Sequence, residues 1–224
     1  MRKARVTRLL STAGAVVAAV LFTNAPVVAG QASDWSLGYF TPSTHGAISN
    51  SSVAALAGGV ATFDFTNQPN TALLVTSHGA FKGTLLGNDQ GKTITATFTV
   101  SGASAFTYFG QGDPNVNPCV FPANVRLYFE TSNAGGFAFT DFWWSDTAAA
   151  VLANGTVTIT ASVLSTGWSD WNGQPAAGNV DAFNQAASNV TLIGLSFGGG
   201  CFFANGVGTV DGSGTFDLDS FSVS

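Results

Sequence analysis

The sequence predicts an all-β fold, an antiparallel β-sandwich of jelly-roll type with one short helix. Three observations carry that prediction. Apolar and polar residues alternate with period two along most of the chain, the pattern of strands with one buried and one solvated face. Glycine-rich turn signals separate these runs: NDQGK, SGAS, SNAGG, ANG and DGSG. Strands at short spacing, broken by such turns, belong to sandwiches and barrels rather than to parallel sheets.

The elements follow in chain order. MRKARVTR carries Arg2, Lys3, Arg5 and Arg8, the apolar run LLSTAGAVVAAVLF comes next, and small residues follow in NAPVVAGQAS. Basic, then apolar, then small is the order of a secretory signal peptide. The apolar run is too short for a good membrane span, and cleavage after Ala29 or Ala32 satisfies the small-residue rule. Residues 1–29 are therefore set apart as the signal. Residues 30–59 are expected to be a leader strand and loop, including AISNSSVAALAGG. Residues 60–224 form a single β-sandwich domain. The mature protein is expected to be secreted, with no membrane insertion once the signal is removed.

Loss of the signal changes the charge. Four of the seven basic residues lie in it, so Lys82, Lys92 and Arg126 remain against twelve acids, a net charge of −9. Three cations cannot build a groove that tracks phosphates, which sets nucleic acid aside as a partner. With 8% charged residues, the surface is mostly neutral hydrogen-bonding groups.

The strands read clearly. In TITATFTV, Ile94, Ala96, Phe98 and Val100 share one face and four threonines the other. NVRLYFETS places Val125, Leu127 and Phe129 inward and Arg126, Tyr128 and Glu130 outward. TVTITASV aligns Val157, Ile159, Ala161 and Val163. FAFTDFWWSDT is apolar on both faces, so its parity does not say which face is buried. The expectation is that Trp144 packs inward with Phe142, leaving Trp143 outside near Asp141. A helix is predicted over Asp181–Ala187, with Asp181 as N-cap. In TFDLDSFSV, Phe216 and Leu218 have one parity and Phe221 and Val223 the other. Burying both sets requires an inserted residue, hence a β-bulge at Asp219–Ser220. The two cysteines, Cys119 and Cys201, are expected to pair in an exported chain. The loop they close, roughly 80 residues, is worth about 4 kcal/mol on the chain-entropy model.

FDLDSFSV resembles the closing strand of galactose-binding-like jelly-roll domains, a group that includes many carbohydrate-binding modules. SNVTLIGLSFGG resembles their penultimate strand and GNDQGKTITATFTVSG an early one, so that the likeness spans residues 60–224. The resemblance implies a binding module, and a structural Ca²⁺ with Asp219 as one ligand. Where such domains often carry a second aspartate, this chain has Ser220.

Catalytic chemistry finds little support. The histidines, His45 and His78, sit beside turn glycines, and no Gly-x-Ser-x-Gly elbow is present. Glycoside hydrolysis needs two carboxylates. Glu130 is the single glutamate, and Asp141 on the next strand is its candidate partner. Asp113, in QGDPNVN, offers oxygen ligands without EF-hand spacing.

Aromatics are the strongest signal. Trp168 and Trp171 stand in STGWSDWNGQP, flanked by Asp170, Asn172 and Gln174. Indoles stack on the C–H faces of sugars while neighbouring polar groups bond the hydroxyls. The same tryptophans read equally well as plugs at the end of a sandwich. The primary expectation is an exported, non-catalytic module that binds neutral glycan through Trp143, Asp141, Trp168, Asp170, Trp171 and Asn172, with no catalytic residues. The alternatives are a structural or adhesive extracellular protein, and a glycoside hydrolase using Glu130 and Asp141.

Overall fold

The computed structural model describes residues 27–28, 32–41, 47–87, 91–132 and 136–224. The signal segment expected over residues 1–29 lies outside the described residues except for Val27 and Val28, and His45 lies outside them too. In chain order the strands are β1 (Val27–Val28), β2 (Trp35–Thr41), β3 (Ala47–Ser52), β4 (Ala61–Asp64), β5 (Thr71–Thr76), β6 (Thr93–Ser101) and β7 (Phe106–Tyr108). There follow β8 (Asn124–Thr131), β9 (Phe142–Val151), β10 (Gly155–Ser162), β11 (Trp168–Asp170), helix α1 (Val180–Ser188), β12 (Val190–Gly198), β13 (Val207–Thr209) and β14 (Thr215–Val223).

The strands build two antiparallel sheets. The smaller runs β1-β14-β6-β10, with β4 also on β14. The larger runs β11-β9-β8-β12-β5-β13-β7, with β2 on β5 and β3 on β2. The sandwich expected from alternation is therefore present. The segment read as leader and loop is more than that. Trp35 and Leu37 of β2 enter the core, and β3 pairs with β2 from Ser36 to Thr41. Alternation is hard to read in β2 because Gly38 interrupts it.

The core lies between the sheets. Ile94, Ala96, Phe98 and Val100 of β6 join Val125, Leu127 and Phe129 of β8 in one cluster. On the outer face of the smaller sheet the same alternation leaves threonines. Thr95, Thr97 and Thr99 meet Thr160, Thr158 and Thr156 of β10 at 3.2, 2.9 and 2.8 Å, hydroxyl to hydroxyl. The register of β14 on β6 shifts between Leu218 and Ser220, which is the bulge that parity required. It lets Phe216, Leu218, Phe221 and Val223 all be buried.

Helix α1 starts one residue earlier than expected. Asn179 holds the N-cap position, and Asp181 lies inside the first turn, where its charge complements the helix dipole. The helix buries Phe183, Ala186 and Ala187 and closes one end of the core. Cys119 and Cys201 form a disulfide with Cα atoms 5.2 Å apart, tying the loop after β7 to the turn after β12.

Candidate functional site

Trp143 and Trp144 are neighbours on β9, so they leave the sheet on opposite sides. Trp143 is fully buried in the core. It lies edge-on to Phe183 at 5.1 Å and donates its indole N–H to the Thr140 carbonyl at 2.8 Å. Trp144 lies on the outer face of the larger sheet, 5.0 Å from Tyr128 and 5.5 Å from Phe203. Its indole N–H goes to the Ser196 hydroxyl at 2.8 Å. This reverses the expected placement of the pair and of Phe142, which packs beside Trp144 in the same outer cluster. The reason is tertiary: α1 covers the inner side of β9, and its Phe183 gives Trp143 a closed site.

Trp168 and Trp171 divide in the same way. Trp168 is 1% exposed, packs on Phe129 at 4.9 Å, and donates to the Ser162 carbonyl at 2.9 Å. It is a plug and cannot meet a ligand. Asp170 is buried too. Its Oδ1 accepts from the backbone N–H groups of Asn172 and Gln174, both at 2.9 Å, so it shapes the turn rather than touching solvent. That turn ends β11 and projects Trp171, which is 41% exposed. Trp171 is held edge-on by Phe142 at 5.2 Å, Phe137 at 5.5 Å and Trp144 at 5.9 Å. Asn172 is exposed beside it.

These aromatics open a groove across the outer face. In register, Trp144 of β9 faces Tyr128 of β8, which faces Gly194 of β12, which faces Val75 of β5. Gly194 leaves the middle of that row without a side chain. A Cβ there would sit 2.1 Å from the Leu74 carbonyl oxygen, so the close strand approach admits only glycine. The neighbouring row runs from Phe142 through Glu130 to Leu192. The cavity of about 280 Å³ is completed by Leu73, Phe137, Trp171 and Ala204. From β9 to β5 it crosses three strand spacings, roughly 14 Å. One wall is the turn that holds Phe203 and Ala204. It is pinned by the Cys201 disulfide, by the Ser196 hydroxyl donating to the Phe203 carbonyl at 2.7 Å, and by the Arg126 guanidinium 4.4 Å above the Phe203 ring.

Among the described residues Glu130 is the one acid lining the groove, and the Tyr128 hydroxyl donates to it. Burial pushes the Glu130 carboxyl above its usual range. The Tyr128 bond opposes that rise, and the charge of Asp141 adds to it. Burial, with the charge of Glu130 behind it, raises the Tyr128 phenol as well. Burial lowers Arg126, against the charge of Asp146, which its Nη1 meets at 3.3 Å. Asp141 does not share this cleft. Its Oδ2 accepts the Ala138 N–H at 3.0 Å, and it lines a separate cavity of about 140 Å³ with Thr140, Gln185 and Asn189. The two carboxylates considered for hydrolysis therefore line different cavities.

The remaining candidates have structural roles. His78 caps a short 3₁₀ turn by accepting the Ala80 N–H. Asp113 accepts the Asn115 N–H at 2.9 Å. Asp219 accepts the Thr99 hydroxyl at 2.8 Å, and among the described residues no three His, Cys, Asp or Glu side chains gather as a metal cluster.

Of the residues expected from sequence, Trp171 and Asn172 lie at the surface by the groove, whereas Trp143, Asp141, Trp168 and Asp170 are buried. The groove is lined instead by Tyr128, Glu130, Phe142 and Trp144, of which Tyr128 and Trp144 are buried at its floor. An outward aromatic beside an acid in NVRLYFETS was the available signal. No protein family and no curated protein matches the chain. A solved structure, the xylan-binding module CBM15, is similar at 14% identity and a TM-score of 0.42, over 87% of this chain and 97% of that one. A likeness of that extent carries no argument about a ligand. Among the described residues no helix is long and apolar enough to cross a membrane.

Proposed function

We propose that this chain is an exported, non-catalytic module that binds a neutral glycan in the groove on the outer face of the larger sheet. The observation that carries the reading is Trp171, a half-exposed indole fixed edge-on by three aromatic rings at the mouth of that groove. An indole held this way offers its face to the C–H side of a sugar ring without losing further rotamer freedom. Export is supported by the basic-apolar-small order of residues 1–29 and by the disulfide, which persists in oxidising compartments. A net charge of −9 without the signal, with Glu130 in the groove, favours neutral ligands over acidic ones.

One stacked indole and a few hydrogen bonds correspond to weak binding, about 10 µM to 1 mM. Calorimetry on the mature protein against a panel of neutral polysaccharides tests this. Trp171→Ala is expected to weaken binding about tenfold or more while shifting stability by less than about 1 kcal/mol. Unchanged binding by a folded Trp171→Ala protein would overturn the placement of the site. The exposed Phe137, Phe139 and Trp171 also suit the adhesive alternative, in which concentrated protein self-associates through this patch and the same substitution restores the monomer in sedimentation.

A further inference from the structure

The groove is more apolar than a bare sugar needs, and its polar atoms are already engaged. The Tyr128 hydroxyl is bonded to Glu130. The Trp144 N–H is bonded to Ser196, whose own proton goes to the Phe203 carbonyl. The far end, over β5 and β12, is lined by Leu73, Val75, Leu192 and Ala204. Among the described residues that line it, the polar side-chain capacity left is the second Glu130 oxygen, the acceptor lone pairs of the Tyr128 hydroxyl, and the Trp171 N–H at the mouth. A sugar hydroxyl pressed onto Leu73, Val75 and Leu192 would lose its water and gain no partner, which is costly. A methyl group placed there would be removed from water at a gain.

We infer that the groove takes a neutral polysaccharide bearing O-acyl groups, with a sugar ring against Trp171 and an acyl methyl, such as that of an acetyl ester, in the aliphatic end over Leu73, Val75 and Leu192. Acylation replaces a hydroxyl donor by an ester, so the group entering the aliphatic end no longer carries an O–H that needs an acceptor. The inference rests on the glycan reading of this groove and names its substrate class. Glu130 works in the same direction. Among the described residues no cation lines the cavity, and Arg126 is turned to Asp146 and the Phe203 ring, so a uronate would meet a carboxylate without a counter-charge.

The test presents a panel of neutral polysaccharides to the mature protein, each in O-acetylated form and after mild alkaline deacetylation, with binding read by calorimetry. Deacetylation is expected to weaken binding about tenfold, the loss from exposing one methyl and burying one unpartnered hydroxyl. Val75→Thr keeps the side-chain shape and adds a hydroxyl to the aliphatic end. It is expected to shrink the ratio between the affinities for the two forms. Equal affinity for the two forms overturns the acyl inference and leaves the glycan reading standing. No binding to either form by folded protein overturns both. A preference for acylated chains that Val75→Thr does not reduce overturns the placement of the acyl group.

Discussion

Two aromatic clusters sit on opposite faces of the same strands. On the inner face, Phe129, Trp143, Trp168 and Phe183 interlock with ring centroids 4.9 to 6.3 Å apart. On the outer face, Phe137, Phe142, Trp144 and Trp171 keep similar spacings, 5.2 to 5.9 Å. The local chemistry is nearly the same, and what differs is the cover. Helix α1 and the second sheet close the inner cluster, whereas the outer one covers Trp144, 2% exposed, and leaves Phe137 and Trp171 exposed at its rim. Aromatic content therefore does not separate core from site here; cover does.

The largest expected effect breaks the inner cluster. Trp143→Ala removes a fully buried indole and is expected to cost about 3 to 5 kcal/mol, seen as a lower midpoint in urea unfolding. Trp171→Ala, on the outer cluster, should leave that midpoint nearly in place. If the two substitutions cost the same, the contrast between a closed and an open cluster is mistaken.

Next comes the disulfide, which serves both stability and the groove wall. Replacing Cys119 and Cys201 by serine is expected to cost about 2 to 4 kcal/mol through the freedom regained by the unfolded chain. It should also weaken ligand binding, because Phe203 and Ala204 lose their tether. Titration of folded double-serine protein separates the two effects: full affinity would show that the Ser196 and Arg126 contacts hold the wall alone.

The smallest effect concerns Glu130. Its carboxyl holds a proton more tightly in the folded than in the unfolded chain, so stability is greatest below the ordinary value near 4.5 and declines as pH rises through the raised folded value. Above that value the penalty is constant. Glu130→Gln is expected to remove this slope, which unfolding midpoints measured from about pH 4 to about pH 8 would show. A slope retained by the glutamine protein would assign it to another group.

Much of the fold was legible because it rests on short-range rules. Alternation placed Val125, Leu127 and Phe129 on one face and Arg126, Tyr128 and Glu130 on the other, and both sets are where parity put them. The conflict of parity in TFDLDSFSV required an inserted residue, and the shift between Leu218 and Ser220 supplies it. The lone pair of cysteines in a chain read as exported left one disulfide to form. These conclusions need only the period of a strand, the count of a residue type and the compartment.

The site depended on partners far away in the chain. FAFTDFWW is apolar on both faces, so nothing local ranks Trp143 against Trp144; α1, some forty residues later, decides it by covering one side. Trp168 and Trp171 share one polar segment. Trp168 belongs to β11, whose pairing with β9 turns it inward, while the turn fixed by Asp170 carries Trp171 out. The groove brings together β5, β8, β9 and β12, and its depth depends on Gly194 meeting the backbone of Leu74. Sequence alone determined which residues could alternate, bulge and pair. Only the packing of distant elements decided which apolar face was left uncovered, because cover is a property of neighbours in space rather than in the chain.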